Sequence, residues 1–185
     1  MTLDTKKVYT KSIVTGASGF IGVPLVKSLL KKNEEVIVVD KNPPKEENCR
    51  SYIRDVSEKN SLDDIADNKT VIYHLAAKAS VPESVANPID DFNNTCYGIF
   101  QVLETARKKN CKVIFPSTAS IFDPSNKLPV TEKSYVKPSS PYGAAKVSGE
   151  AYCYVYNRCY GIDVRVARMF SVYGIGMNRF FIHDV

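Results

Sequence analysis

A doubly wound α/β fold, a parallel sheet with helices on both faces, is the architecture this sequence predicts. Short apolar runs alternate with helical patterns along the chain, as strand–helix–strand units require. The first run, Tyr9–Thr15, feeds into glycines at 16, 19 and 22, where a tight turn and a close helix approach both favour a missing side chain. The second run ends in Asp40, roughly 20 residues past that turn, the place where such sheets carry an acid for a ribose.

Taken in order, strands are expected at Tyr9–Thr15, Val36–Asp40, Tyr52–Ile53, Val71–Leu75, Val113–Ser117 and Val164–Ala167. Between them, helical patterning predicts an amphipathic helix over Gly19–Lys32, a short one near Leu62–Ala66, a longer one over Asp90–Lys109, and another from Pro141 to Tyr160. Asn42-Pro43-Pro44 and Ser134–Pro141 read as loops, because proline stops strands and restrains the residue before it. There is no internal repeat and no low-complexity segment.

With 185 residues, 44% of them hydrophobic, the chain can bury one good core, and a single domain over residues 1–185 is the natural count. No run of about 18 apolar residues predicts a membrane span. Met1–Ser12 carries Lys6, Lys7 and Lys11 without an apolar stretch, which argues against a secretory signal. Cys49, Cys96, Cys111, Cys153 and Cys159 are odd in number, scattered and without CxxC pairing. Reduced thiols in a cytoplasm fit this best, with neither a disulfide framework nor a metal site. The net charge of +5 suits an anionic nucleotide, but no basic stripe interleaved with aromatics suggests nucleic acid.

The glycine turn is a dinucleotide cradle. Gly16 would permit the turn off the strand, Gly19 the approach of a pyrophosphate, and Gly22 close packing of the helix that follows. The phosphates would rest on the free N–H groups and positive dipole end of that helix. The spacing is GxxGxxG, not the GxGxxG of ordinary dehydrogenases. Asp40 would accept from the adenosine ribose hydroxyls and repel a 2′-phosphate, favouring NAD over NADP, although Lys41 beside it softens the preference. Asp55-Val56 is placed for the adenine edge.

Chemistry is suggested by Tyr142-Gly143-Ala144-Ala145-Lys146. At i and i+4 on a helix the two side chains share a face, so the ammonium can lie near the phenol and draw it toward the working range of an acid or base. The same lysine could hold a nicotinamide ribose.

The assembly resembles the extended short-chain dehydrogenase/reductase family, within it the NAD-dependent nucleotide-sugar epimerases and dehydratases with their Rossmann-like domain. The resemblance rests on TGASGFIG at 15–22, Asp40, Asp55-Val56, HLAA at 74–77, Ser80-Val81 with Ser84, FPSTASIF at 115–122, SPYGAAK at 140–146 and RMFSVYG at 168–174, in family order.

That resemblance implies Tyr142 as acid/base, Lys146 as its partner and Thr118 as the hydroxyl completing the site. It puts Gly16, Gly19, Phe20, Ile21, Gly22, Asp40, Asp55, Val56, Leu75, Ala76 and Ala77, with Tyr142 and Lys146, around NAD. Ser80, Val81, Ser84, Thr118 and Ser171 would face a nucleotide-sugar substrate. His74 belongs to the strand framework and is not expected to act as a base. The implied reaction is transient oxidation, conventionally at the sugar C4, followed by return of hydride to the other face. Dehydratases of the group carry Asp-Glu after the threonine; Ala119-Ser120 stand here, and SVPES at 80–84 looks most like UDP-hexose or UDP-N-acetylhexosamine 4-epimerases. The alternatives are an NAD-binding module or fragment without catalysis and a nucleotide-sugar reductase using the same three side chains.

Some positions depart from the family. Thr95 replaces the asparagine of its NVxGT motif, Ser171 that of RxFNVYG, and Asp123 the glycine of its VYG turn. Family members generally continue well beyond RMFSVYG into a smaller substrate-gripping domain, so the chain is expected to be a truncated or fragmentary form, with Asn178–Val185 opening the next element. Homodimers through the helices of Asp90–Lys109 and Pro141–Tyr160 are common in the family.

Overall fold

The computed structural model describes residues 8–32, 34–46 and 48–177. Within them the chain runs β1 (Lys11–Thr15), α1 (Gly22–Leu30), β2 (Glu35–Asp40), β3 (Arg50–Ile53), β4 (Thr70–His74), α2 (Val81–Ala86), α3 (Pro88–Asp91), a π-helical turn (Phe92–Tyr97), α4 (Gly98–Lys109), β5 (Lys112–Thr118), a 3₁₀ turn (Ala119–Ile121), α5 (Pro141–Tyr160) and β6 (Val164–Met169). The strands form one parallel sheet in the order β3-β2-β1-β4-β5-β6. Strand order therefore reverses between β1 and β4, whose registered ends are Thr15 and His74. That switch point opens a crevice beyond the strand C-termini, the usual ligand position in such sheets.

Both faces of the sheet are buried because its strands alternate. Ile13, Ile37, Val39 and Ile72 point to one side and pack with Ile99, Val102 and Leu103 of α4 and Cys153 and Tyr156 of α5. Val14, Val36 and Val38 point to the other and pack with Val26 and Leu29 of α1. A one-residue slip in any central strand would exchange these sets. The pairing register thus also fixes which strand ends meet at the crevice.

The structure shifts several expected boundaries. β1 starts at Lys11 rather than Tyr9, and β6 continues to Met169. The helix expected from Gly19 begins at Gly22, because residues 16–21 form the turn that swings the chain off β1. Near Leu62–Ala66 there is no helix, only successive turns. Leu62, Ile65 and Ala66 still enter the core, so the apolar spacing there marked burial instead of helix. The helix expected over Asp90–Lys109 is divided into α3, the π-turn and α4. α2 and the 3₁₀ turn, of six and three residues, are too short to show periodicity. Lys6, Lys7 and the segment Asn178–Val185 lie outside the described residues.

Candidate active site

Gly16 makes the turn possible. Its φ is +68°, and a Cβ there would lie 2.6 Å from the backbone N of Ala76, just past the end of β4. Only glycine adopts that dihedral against a neighbouring backbone without strain. Gly22 is pressed as closely, with a Cβ position 2.7 Å from Ala17 Cα, which draws α1 onto β1. Gly19 is exposed and needs no left-handed backbone.

The end of α1 suits an anion. Ile21 precedes the helix without a side-chain cap, so the first N–H groups of α1 have no acceptor from that residue. Phe20 and Ile21 are half-buried beside them. Asp40 Oδ2 accepts from Ser18 N at 2.9 Å and Oδ1 from Asn42 N at 2.9 Å, so the acid at the end of β2 also braces the glycine turn. Asp55 accepts from Ser57 at 2.7 Å and pairs with Lys41 at 2.7 Å, while Val56 is buried in the core. Lys41 and the Ser57 hydrogen bonds outweigh burial and hold the Asp55 carboxyl below its ordinary value. Leu75, Ala76 and Ala77 continue from β4 along the other wall, half-buried. The donor set, the cradle that a Cβ would fill and the acid at β2 fit a dinucleotide.

Across the crevice, α5 carries the reactive pair. Ser140 caps this helix by accepting from Gly143 N at 3.1 Å, and Pro141 follows in its first turn. A Cβ at Gly143 would stand 2.6 Å from the Ser120 carbonyl oxygen, so the start of α5 sits directly on the 3₁₀ turn. That seating sets Tyr142 opposite Thr118, whose Oγ1 also accepts from Ser120 N at 3.2 Å. Burial pushes the Tyr142 phenol up, with a hydrogen bond from Thr118 acting against it. The expected lowering by Lys146 is not what this structure displays. Lys146 Nζ instead donates to the Pro116 carbonyl at 2.8 Å and lies 4.7 Å from the Phe115 ring centre and 5.9 Å from that of Tyr142. Its side chain is buried, and loss of hydration brings its pKa down to about 8, against the opposing charge of Asp91.

His74 is fully enclosed, with Nδ1 2.9 Å from Thr15 Oγ1 and no partner for Nε2. Burial, then the Lys146 charge, brings its pKa down to about 3, so it stays neutral and serves the framework.

The residues expected to face a sugar have varied settings. Ser80 caps α2 by accepting from Glu83 N, Val81 is partly exposed, and Ser84 is buried with its hydroxyl donating to Val81 O at 2.8 Å. Ser171 is exposed just beyond β6. Val81, Ala119, Ser120, Phe122, Ser140 and Phe170 help line a cleft of about 380 Å³ that extends to Asp123 and Val130 and that neither Thr118 nor Tyr142 lines. Sequence reasoning missed Asp91, which is buried near Lys146. Its place in an Asp-Asp pair before a helical pattern resembles any acidic first turn.

Comparison with known proteins bears on the fold and the family. A putative UDP-glucose 4-epimerase of Methanocaldococcus jannaschii is 38% identical over 174 residues, covering 88% of this chain and 56% of that protein. A crystal structure of UDP-galactose 4-epimerase superposes with a TM-score of 0.86 at 32% identity, covering 94% of this chain and 60% of that one. An L-threonine dehydrogenase from Clostridium difficile superposes with a TM-score of 0.77 at 31% identity, covering 87% and 53%. The chain spans about half the length of the curated relatives it matches. Residues 12–184 match the family described as NAD dependent epimerase/dehydratase, and the chain belongs to that NAD-dependent family.

Proposed function

We propose that this protein is an NAD-dependent nucleotide-sugar 4-epimerase, acting on a UDP-hexose or UDP-N-acetylhexosamine with residues 1–185 as its cofactor-binding domain. The observation that carries this reading is the seating of Tyr142 and Lys146 on one face of α5, against Thr118 and Pro116 of β5, at the same C-terminal end of the sheet as the glycine turn.

Bound NAD supplies a hydride acceptor that can return what it takes. Thr118 and Tyr142 hold the reacting C4 hydroxyl, and Tyr142 removes its proton as the C–H bond is lost. The sugar is then a 4-ketose. Turned in the site, it would present its other face to the same cofactor for hydride return and would take the proton back from Tyr142. With NAD bound, Lys146 would hold its ribose and would favour the phenolate form of Tyr142. Ala119 and Ser120 offer no acid or base for eliminating water, which favours epimerisation over dehydration.

A second reading comes from the likeness to an L-threonine dehydrogenase. The same three side chains could oxidise a secondary alcohol with net formation of NADH. Product NMR with a panel of UDP-hexoses, run beside absorbance at the NADH band, separates the two. A C4-inverted product without NADH accumulation, abolished in Tyr142→Phe, supports epimerisation. Stoichiometric NADH supports the dehydrogenase, and bound NAD with neither product supports a cofactor-binding module without catalysis.

We further infer a homodimer through α4 and α5 and a cytoplasmic setting. Support for the first is the exposed Tyr152, Tyr154, Val155 and Tyr160 on α5 with Tyr97 at the head of α4. Support for the second is that none of the five cysteines, all among the described residues, forms a disulfide.

A further inference from the structure

Asp91 ends α3 with a side chain that solvent hardly reaches, its residue only 2% exposed. Carboxylates are rarely buried this far unless paired. Oδ1 accepts from Thr95 Oγ1 at a long 3.4 Å, and Oδ2 has no hydrogen-bond partner. Both α3 and the π-turn pack against α5, and the Asp91 charge is felt by both Tyr142 and Lys146 of that helix. Lys146 in turn uses one N–H on Pro116 and has two left.

The other groups around this interior are neutral near pH 7. His74 on β4 resists protonation, and Tyr142 is held as the phenol. Cys153 on α5 is pushed up to about 12 and Cys96 on the π-turn is raised, both by burial. Phe115 and the Pro116 carbonyl on β5 contribute a ring face and a dipole. Burial pushes the Asp91 carboxyl up, while the Thr95 hydroxyl and the Lys146 charge act to keep it ionised. Asp90, next in the chain, also raises it but is half-exposed and paired with Lys78. Among the described residues Asp91 is thus the acid that can offset the buried ammonium. In a poorly hydrated interior a charge acts over a longer distance than in water.

We infer that Asp91, held by Thr95, is a positioning residue that serves as the buried counter-charge keeping Lys146 protonated across neutral pH. Its relevance to turnover rests on the proposed function, because a cationic Lys146 is what that reaction uses to hold the ribose and favour the Tyr142 phenolate. Thr95 takes part in place of the asparagine expected at this position. A threonine hydroxyl one helical turn after an acid can donate back to it, and burial of both keeps the carboxylate aimed into the protein.

The test is a direct titration of Lys146. Protein labelled with [13Cε]lysine is followed by NMR from pH 6 to 11, with the resonance assigned from Lys146→Arg. The parent signal should titrate near 8. In Asp91→Asn, similar in shape but uncharged, it should titrate about one pH unit lower, and Asp91→Glu should recover most of the difference. An unshifted Lys146 in folded Asp91→Asn overturns the inference. If thermal melting shows that Asp91→Asn does not fold, Thr95→Val decides. It should shift Lys146 the same way by about a third as much, and no shift overturns the inference. The readout needs no turnover, so failure of the epimerase reading would appear separately, as absence of the C4-inverted product with this titration intact.

Discussion

Lys146 Nζ and the Pro116 carbonyl oxygen lie 2.8 Å apart, which ties the lysine of α5 to β5 and leaves Tyr142 to Thr118. Burial brings the folded-state pKa of this lysine from 10.5 to about 8. Between those values the unfolded chain binds a proton that the folded chain does not, so stability rises with pH across that window. Below 8 the cation is buried at full cost. The unfolding free energy of the parent relative to Lys146→Met should therefore increase by about 3 kcal/mol between pH 8 and 10.5. Urea unfolding at a series of pH values checks this, and parallel curves would refute it.

His74 gives the opposite end of the pH range. Its pKa falls from 6.5 to about 3 on folding, so the unfolded state takes up a proton as pH drops through 6.5 while the native state refuses it. Stability is lost as pH falls from 6.5 toward 3. The loss should be smaller by several kcal/mol, roughly 3 to 5, in His74→Gln, whose amide can still meet Thr15. Acid titrations of both proteins followed by circular dichroism make the comparison.

Two glycines of one turn should respond differently to alanine. Gly16→Ala places a methyl in a left-handed backbone 2.6 Å from Ala76 N, and we expect destabilisation of about 3 kcal/mol or more. Gly19→Ala meets only the Gly16 carbonyl oxygen at 3.2 Å, so stability should change by about 1 kcal/mol or less. NAD affinity should nonetheless drop at least about tenfold in Gly19→Ala, because the pyrophosphate is expected to approach there. Thermal melts with NAD titration calorimetry separate the effects, and equal melting losses would count against the assignment.

The proposed dimer predicts that Tyr154→Glu yields monomers in light scattering at micromolar concentration. Tyr154 is 67% exposed, so the fold should keep its melting temperature within a few degrees. A monomeric parent protein would remove the proposal.

The places of the strands along the chain and the glycine turn were legible because they are written in local signals, whereas the order β3-β2-β1-β4-β5-β6 across the sheet is set by pairing between distant segments. Apolar runs, spacing of glycines and an acid at a strand end need no distant partner to be read. The π-turn at Phe92–Tyr97 was not legible, since its residues are compatible with the helix on either side. The Leu62–Ala66 turns misled for a related reason: a short apolar spacing records burial and leaves the backbone undetermined. At the site, the shared face of Tyr142 and Lys146 followed from i, i+4 spacing. The hydrogen bond to Pro116 did not, because it joins residues 30 apart in the chain. Asp91 stayed hidden for the same reason, its setting being made by the packing of α3 on α5.

The position of β1 has a consequence for synthesis. This strand sits between β2 and β4, and the residues paired with it across β4 lie 59 positions later, as Thr15 with His74. Until that part has left the ribosome, β1, α1 and β2 can fold together only with one edge of β1 open, and an unpaired apolar edge invites association between nascent chains. A chaperone that shields the emerging chain until β4 arrives would therefore raise the yield of soluble protein more than one acting after release.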